Sequence, residues 1–144
     1  MIQRVQSLYL LIAFLISGVL AFSVLLWENI DGIAYYLTGM IKEDSWKIVS
    51  IPIGFILSTI LSLLAIMNFK NRTLQIKLNR FNIVINLYLL GIIVYLLLSL
   101  SGESYISEKG IGLFLPVIVI VLLVLANKTI QKDEELVKSV DRLR

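Results

Sequence analysis

An all-α bundle of four membrane-spanning helices, with both chain ends in the cytoplasm, is the fold class this sequence predicts, on three observations. Hydrophobic residues make up 58% of the chain and charged residues 16%, with a mean hydropathy of +0.91; soluble domains carry about a quarter charged residues. The charges are segregated, so that four runs, 8–27, 48–67, 81–100 and 110–126, contain no Asp, Glu, Lys or Arg. At about 1.5 Å rise per residue each comes close to crossing a hydrocarbon core about 30 Å thick. A soluble bundle would need a polar face on each helix, and these runs have none.

The third observation is the placement of Lys and Arg, which orients a multi-pass chain. Arg4 before the first run, Lys70, Arg72, Lys77 and Arg80 between the second and third, and Lys128, Lys132, Lys138, Arg142 and Arg144 after the fourth share one side. Only Lys42, Lys47 and Lys109 fall on the other. The basic side is the cytoplasm. Trp27, Tyr35, Tyr36, Trp46 and Tyr105 gather toward the opposite ends, where amphipathic rings favour the interface. A sequence pI near 9.2 is thereby accounted for by topology, with no aromatic-interleaved basic patch for nucleic acid.

Span one, 8–27, follows Arg4 and contains Val19-Leu20-Ala21, features shared with secretory leaders. Its length favours a retained helix. Ala13, Ser17 and Ala21 repeat every four residues as a ridge of small side chains. The loop 28–47 carries a turn signal at Asp31-Gly32 and a short strand or interfacial segment over 33–37. Its acids Glu28, Asp31, Glu43 and Asp44 lack the spacing of a calcium loop.

Span two, 48–67, offers a second ridge, Ser50, Gly54, Ser58 and Ser62, whose spacing permits close backbone approach. Counted from the cytoplasmic ends of the runs, Ala13 meets Ser62, Ser17 meets Ser58 and Ala21 meets Gly54 in an antiparallel hairpin. Span three is expected to begin at an N-cap, Thr73, and to continue through the run 81–100. On it Gln75, Asn79, Asn82 and Asn86 share one stripe, and Asn82 and Asn86 carry that stripe into the membrane. The same depth count places Asn86 beside Ser62. Gly91 and Pro116 are candidate flexible points in spans three and four.

Span four, 110–126, is expected to continue as a cytoplasmic helix over 127–144, with Glu134 paired to Lys138 and a narrow apolar stripe of Leu136, Val140 and Leu143. Lys70, Arg72, Lys77, Arg80, Asp133, Glu134 and Arg142 then form a candidate cytoplasmic interaction face. Its charges either face solvent and anionic lipid separately, or the tail folds back and pairs its acids with the connector.

The chemistry is bounded by what is missing. The chain has no Cys and no His, which excludes disulfides, zinc sites of the usual kind and imidazole-dependent dyads. The intramembrane carboxylates that mark proton pumps are also absent from the runs. No cofactor or metal ligand set is expected, and no catalytic residue: the serines have no adjacent base.

The two ends, MIQRVQSLYL and KDEELVKSVDRLR, resemble those of an uncharacterised family of small bacterial four-span membrane proteins, a domain-of-unknown-function family. Gln3, Arg4, Gln6, Tyr9, Lys132, Asp133, Glu134, Leu136, Val137, Asp141, Arg142 and Leu143 carry the likeness. It implies four spans, a basic central connector, a charged tail and a place in the bacterial inner membrane. It implies no activity. The expected function is a non-enzymatic structural or interaction component that contacts lipid and packs on itself or another membrane protein. The alternative is an oligomeric channel or carrier for an uncharged or lipidic solute lined by Asn82, Asn86, Ser58 and Ser62; a lipid-active enzyme is the third and weakest reading.

Overall fold

The computed structural model describes residues 2–29, 34–100, 106–109 and 111–143. The turn signal at Asp31-Gly32, Tyr105 and Arg144 lie outside them. Four long helical segments form the bundle. The first is α1 (Ile2–Leu15), which passes through a π-helical turn, Ile16–Leu20, into the short α2 (Ala21–Ser23). After a brief α3 (Leu37–Met40) come α4 (Trp46–Met67), α5 (Arg72–Leu100) and α6 (Leu115–Arg142). α1 packs on α4 and α6, and α5 packs on the same two, in an antiparallel ring. Both described ends of the chain and the α4–α5 turn therefore share one end of the bundle.

Each boundary has a local cause. Span one stops at Ser23, short of the expected 27, because Val24 turns to an extended backbone (φ −104°, ψ 143°) and Trp27–Asn29 forms strand β1. The α4–α5 connector is far tighter than the charge-bearing stretch 68–80. Asn71, and not Thr73, caps α5: its Oδ1 accepts the Leu74 N–H at 3.3 Å, satisfying one of the donors a helix start leaves free. Thr73 sits inside the first turn. Pro116 is the second residue of α6, where a missing N–H costs no helical bond. The 29 residues of α5 and the 28 of α6 are each about 43 Å long, so both project about 13 Å beyond a hydrocarbon core.

At the other end the two connecting loops join. β1 pairs antiparallel with both β2 (Ala34–Tyr35) and β3 (Ile106–Lys109), in the order β2-β1-β3. β2 falls in the 33–37 segment that the sequence marks. β3 has no alternating pattern to announce it. Beneath the sheet, the Gly112 N–H donates to the Leu25 carbonyl at 3.2 Å, and Leu26, Leu37 and Met40 are buried.

The core is filled by Leu10, Phe55, Leu89, Ile93, Val119 and Leu123. The outside is equally apolar: Val19, Ile53, Ile60, Val84, Leu98 and Val121 are all exposed. A chain apolar on both its inner and outer faces is stable only where lipid covers the outside. There, helix association rests on packing and interhelical hydrogen bonds, because the lipid is as apolar as the core.

Candidate functional site

The α5 stripe lies entirely inside the bundle: Gln75, Asn79, Asn82 and Asn86 are each at most 1% exposed. Steps of four, three and four residues keep one face of a helix turned inward, so all four amides reach neighbouring helices. The Gln75 Nε2 donates to the Ala65 carbonyl at 3.0 Å. The Asn79 Nδ2 donates to Asn127 Oδ1 on α6 at 2.9 Å. Deeper, the Asn82 Nδ2 donates to Ser62 Oγ at 2.9 Å and to the Ser58 carbonyl at 3.1 Å. The Asn86 Nδ2 donates to Ser58 Oγ at 2.9 Å, and also to its own helix at the Asn82 carbonyl and Oδ1.

Asn86 therefore meets Ser58, one turn from the Ser62 that depth counting gives it. The count began at the ends of the apolar runs, whereas the tight turn at Asn68–Asn71 starts α5 at Arg72 and slides the two helices by a turn. The second ridge also faces differently. Gly54, Ser58 and Ser62 are turned to α5, and a Cβ on Gly54 would lie 2.5 Å from Leu89 Cδ2. Span one is met by the next residue round the helix, Thr59, whose Oγ1 lies 3.2 Å from Ser17 Oγ while giving its shorter bond, 2.7 Å, to the Phe55 carbonyl of its own helix. A Cβ on Gly18 would come within 2.8 Å of Thr59 Cγ2. Ala13, Ser17 and Ala21 are buried, with the π turn beginning where Ser17 returns its hydroxyl to the Ala13 carbonyl at 2.9 Å.

Two of the hydrogen-bonding partners lie outside the apolar runs. Asn127 stands at the start of the expected tail, and Gln6 precedes the first apolar run but lies within α1. The Gln6 Nε2 donates to the Thr129 carbonyl at 3.3 Å and ties α1 to α6. Three oxygens of the stripe, Gln75 Oε1, Asn79 Oδ1 and Asn86 Oδ1, are buried with no donor among the described residues. An unmet buried acceptor costs about 1–3 kcal/mol. Each is a neutral acceptor able to take a water or hydroxyl hydrogen, and none is a base or nucleophile.

The charged end sits beyond this seam. α6 runs straight and does not fold back; instead the first turn of α5 rises beside it. That brings Arg72 Nη2 to 3.1 Å from Asp133 Oδ2, close enough for an ion pair but out of line for a hydrogen bond. Lys138 and Glu134 pair along α6 at 3.4 Å. Lys70, Arg72, Glu134 and Lys138 line a cleft of about 630 Å³ between the turn and the tail. Lys77, Arg80 and Arg142 are exposed outside it.

Residues 2–143 match the family described as "Domain of unknown function (DUF4293)". The chain belongs to that family. The match spans both termini and all four helices, so the amide seam and the charged end are parts of one DUF4293 unit. Neither the curated proteins nor the solved structures compared with the chain contain a match.

Proposed function

We propose that the protein is a non-enzymatic multi-pass component of the bacterial cytoplasmic membrane, with both chain ends in the cytoplasm, that assembles with itself or with another membrane protein. One observation carries this reading: the buried amides of α5 are spent on holding it to α4 and α6, while charged side chains gather at the end that α5 and α6 carry past the membrane. A bundle fastened inside and charged at one projecting end is suited to present a surface. The orientation rests on the Lys and Arg distribution, and reporter fusions after Ser7, Asp44, Arg72 and Leu143 should read in, out, in, in. A fusion after Arg72 reporting from outside overturns it. The function is tested by purification in mild detergent followed by native mass spectrometry. A stoichiometric protein complex that is lost on Lys70→Glu or Arg142→Glu, with the bundle still folded, is the expected result.

A second reading is favoured by the three unmet oxygens of the stripe, which could pass an uncharged solute by successive hydrogen bonds. Glycerol or water flux into proteoliposomes that depends on Asn86 would favour a carrier over an assembly role.

A further inference from the structure

At the end of the bundle opposite the chain termini, α4 and α5 leave a groove on the outer, lipid-facing surface. Trp46 and Lys47 lie in the first turn of α4. Tyr88, Gly91, Ile92 and Tyr95 form one stripe of α5 beside them, and together the six enclose about 370 Å³. Gly91 makes the floor: a Cβ there would meet nothing within 4 Å, so the missing side chain leaves a notch between the two tyrosines. The seven-residue step from Tyr88 to Tyr95 extends the groove about 10 Å along the helix. Its walls are aromatic and aliphatic, and Trp46 is 70% exposed along its rim.

One end of this groove is cationic. The Lys47 Nζ donates to the Tyr95 hydroxyl at 3.3 Å and lies 4.9 Å from the centroid of the same ring, which holds the ammonium at the mouth of the notch. No carboxylate pairs with Lys47 among the described residues. The ammonium keeps two further donors, and the Tyr95 hydroxyl, having accepted from Lys47, keeps its own hydrogen to donate. At the deeper end the Tyr88 hydroxyl is already committed to Ser50 Oγ at 3.2 Å, so the polar demand is confined to the mouth.

We propose that this groove is a binding site for one anionic glycerophospholipid, an acyl chain lying in the notch over Gly91 and the phosphate on Lys47 and Tyr95. Charge decides the occupant. Lys47 is in the first turn of a 22-residue helix about 33 Å long, which puts it where the phosphates of a membrane about 30 Å thick in its core are found. An apolar trough below an ammonium that has no carboxylate partner among the described residues matches a lipid's own division into chain and phosphate. A second copy of the chain would cover the trough with a helix and leave that ammonium facing apolar side chains. The inference requires that this end lie at a membrane interface, whichever side it faces, and is independent of the assembly role.

The full chain in mild detergent, titrated with phosphatidylglycerol or phosphatidylcholine and read by native mass spectrometry, tests it. One phosphatidylglycerol per protomer should be retained in preference to phosphatidylcholine. Lys47→Gln should reduce that preference about fivefold, the worth of one basic residue at an anionic surface. Gly91→Leu fills the notch without a clash and should abolish retention at an unchanged unfolding midpoint. Retention at the original level in both variants overturns the proposal. So does a Gly91→Leu variant that changes oligomeric state and leaves lipid binding intact, which would make the groove a seam between copies. A readout free of groove substitutions uses Trp46 fluorescence in a Trp27→Phe background. Brominated phosphatidylglycerol should quench it more than brominated phosphatidylcholine, and equal quenching also overturns the proposal.

Discussion

Replacing Asn82 with Ala should destabilise the bundle more than the same change at Asn86, although both amides are equally buried and lie one turn apart. Asn82 gives two hydrogen bonds to another helix, to Ser62 Oγ and to the Ser58 carbonyl. Asn86 gives one, to Ser58 Oγ, and spends the rest of its donor capacity on its own helix. Interhelical hydrogen bonds in membranes average about 0.6 kcal/mol and reach about 1.7. Two bonds and the lost packing of the amide give about 1–3 kcal/mol for Asn82→Ala. For Asn86→Ala the same packing is lost but only one interhelical bond, and an unmet Oδ1 is removed with it, so the cost should be about 1 kcal/mol lower than for Asn82→Ala. Val84→Ala, at a position 60% exposed on the lipid face, should fall within about 0.5 kcal/mol of the parent. Unfolding in mixed micelles titrated with a denaturing detergent measures all three. A double-mutant cycle of Asn82→Ala with Ser62→Ala should return a coupling of about 0.6–1.7 kcal/mol. If Asn86→Ala proves the costlier, or the cycle couples by less than about 0.3 kcal/mol, the seam does not hold the helices as described.

The remaining expectations concern other contacts of the same helices. Gly54→Val should loosen the bundle in the same assay and be partly rescued by Leu89→Ala, because the added Cβ strikes Leu89; no rescue would mean that Gly54 faces some other neighbour. Asn79→Ala and Asn127→Ala should couple to each other and not to Ser62→Ala, since their bond joins α5 to α6; additive costs in that cycle would remove the bond from the account. Arg72→Asp should cost about 1 kcal/mol at low salt and be restored by Asp133→Arg; a double variant no better than the single would separate the turn from the tail.

The inward face of α5 was legible from its sequence, because four amides at helical spacing in an otherwise apolar context can satisfy themselves only against other helices. Ser58 and Ser62 were legible as their partners for the complementary reason. Register was not, since the apolar runs report where lipid begins and not where a helix starts; the turn and the Asn71 cap decide that. Nor was the choice between Ser58 and Thr59 as the residue that meets span one. A step of one residue rotates a side chain by about 100°, enough to exchange α5 for α1, and a ridge of small residues does not say which neighbour fills it. β3 escaped because its pairing is supplied by a loop far away in sequence, at β1. The π turn escaped because nothing in Ile16–Leu20 departs from an ordinary apolar helix with a small pair, Ser17-Gly18.

The bonds are also unequal around the ring, and the inequality follows from where the amides sit. α5 carries the stripe and so is fastened to α4 through Gln75, Asn82 and Asn86 and to α6 through Asn79, at 2.9–3.1 Å. Span one is tied to α6 by the Gln6 amide at 3.3 Å, and its Ser17 hydroxyl lies 3.2 Å from that of Thr59 on α4. Leu10, Ala13 and Ala21 add their contact with the core. Where the outside of a helix is as well solvated by lipid as its inside is by protein, packing alone distinguishes the two states weakly. Among the described side-chain bonds the α4–α5 seam has the most, so that pair is the most firmly fastened, while span one and α6 lean more on packing. If the proposed assembly proceeds by helix exchange inside the bilayer, the contact between Ser17 and Thr59 is the seam to label first.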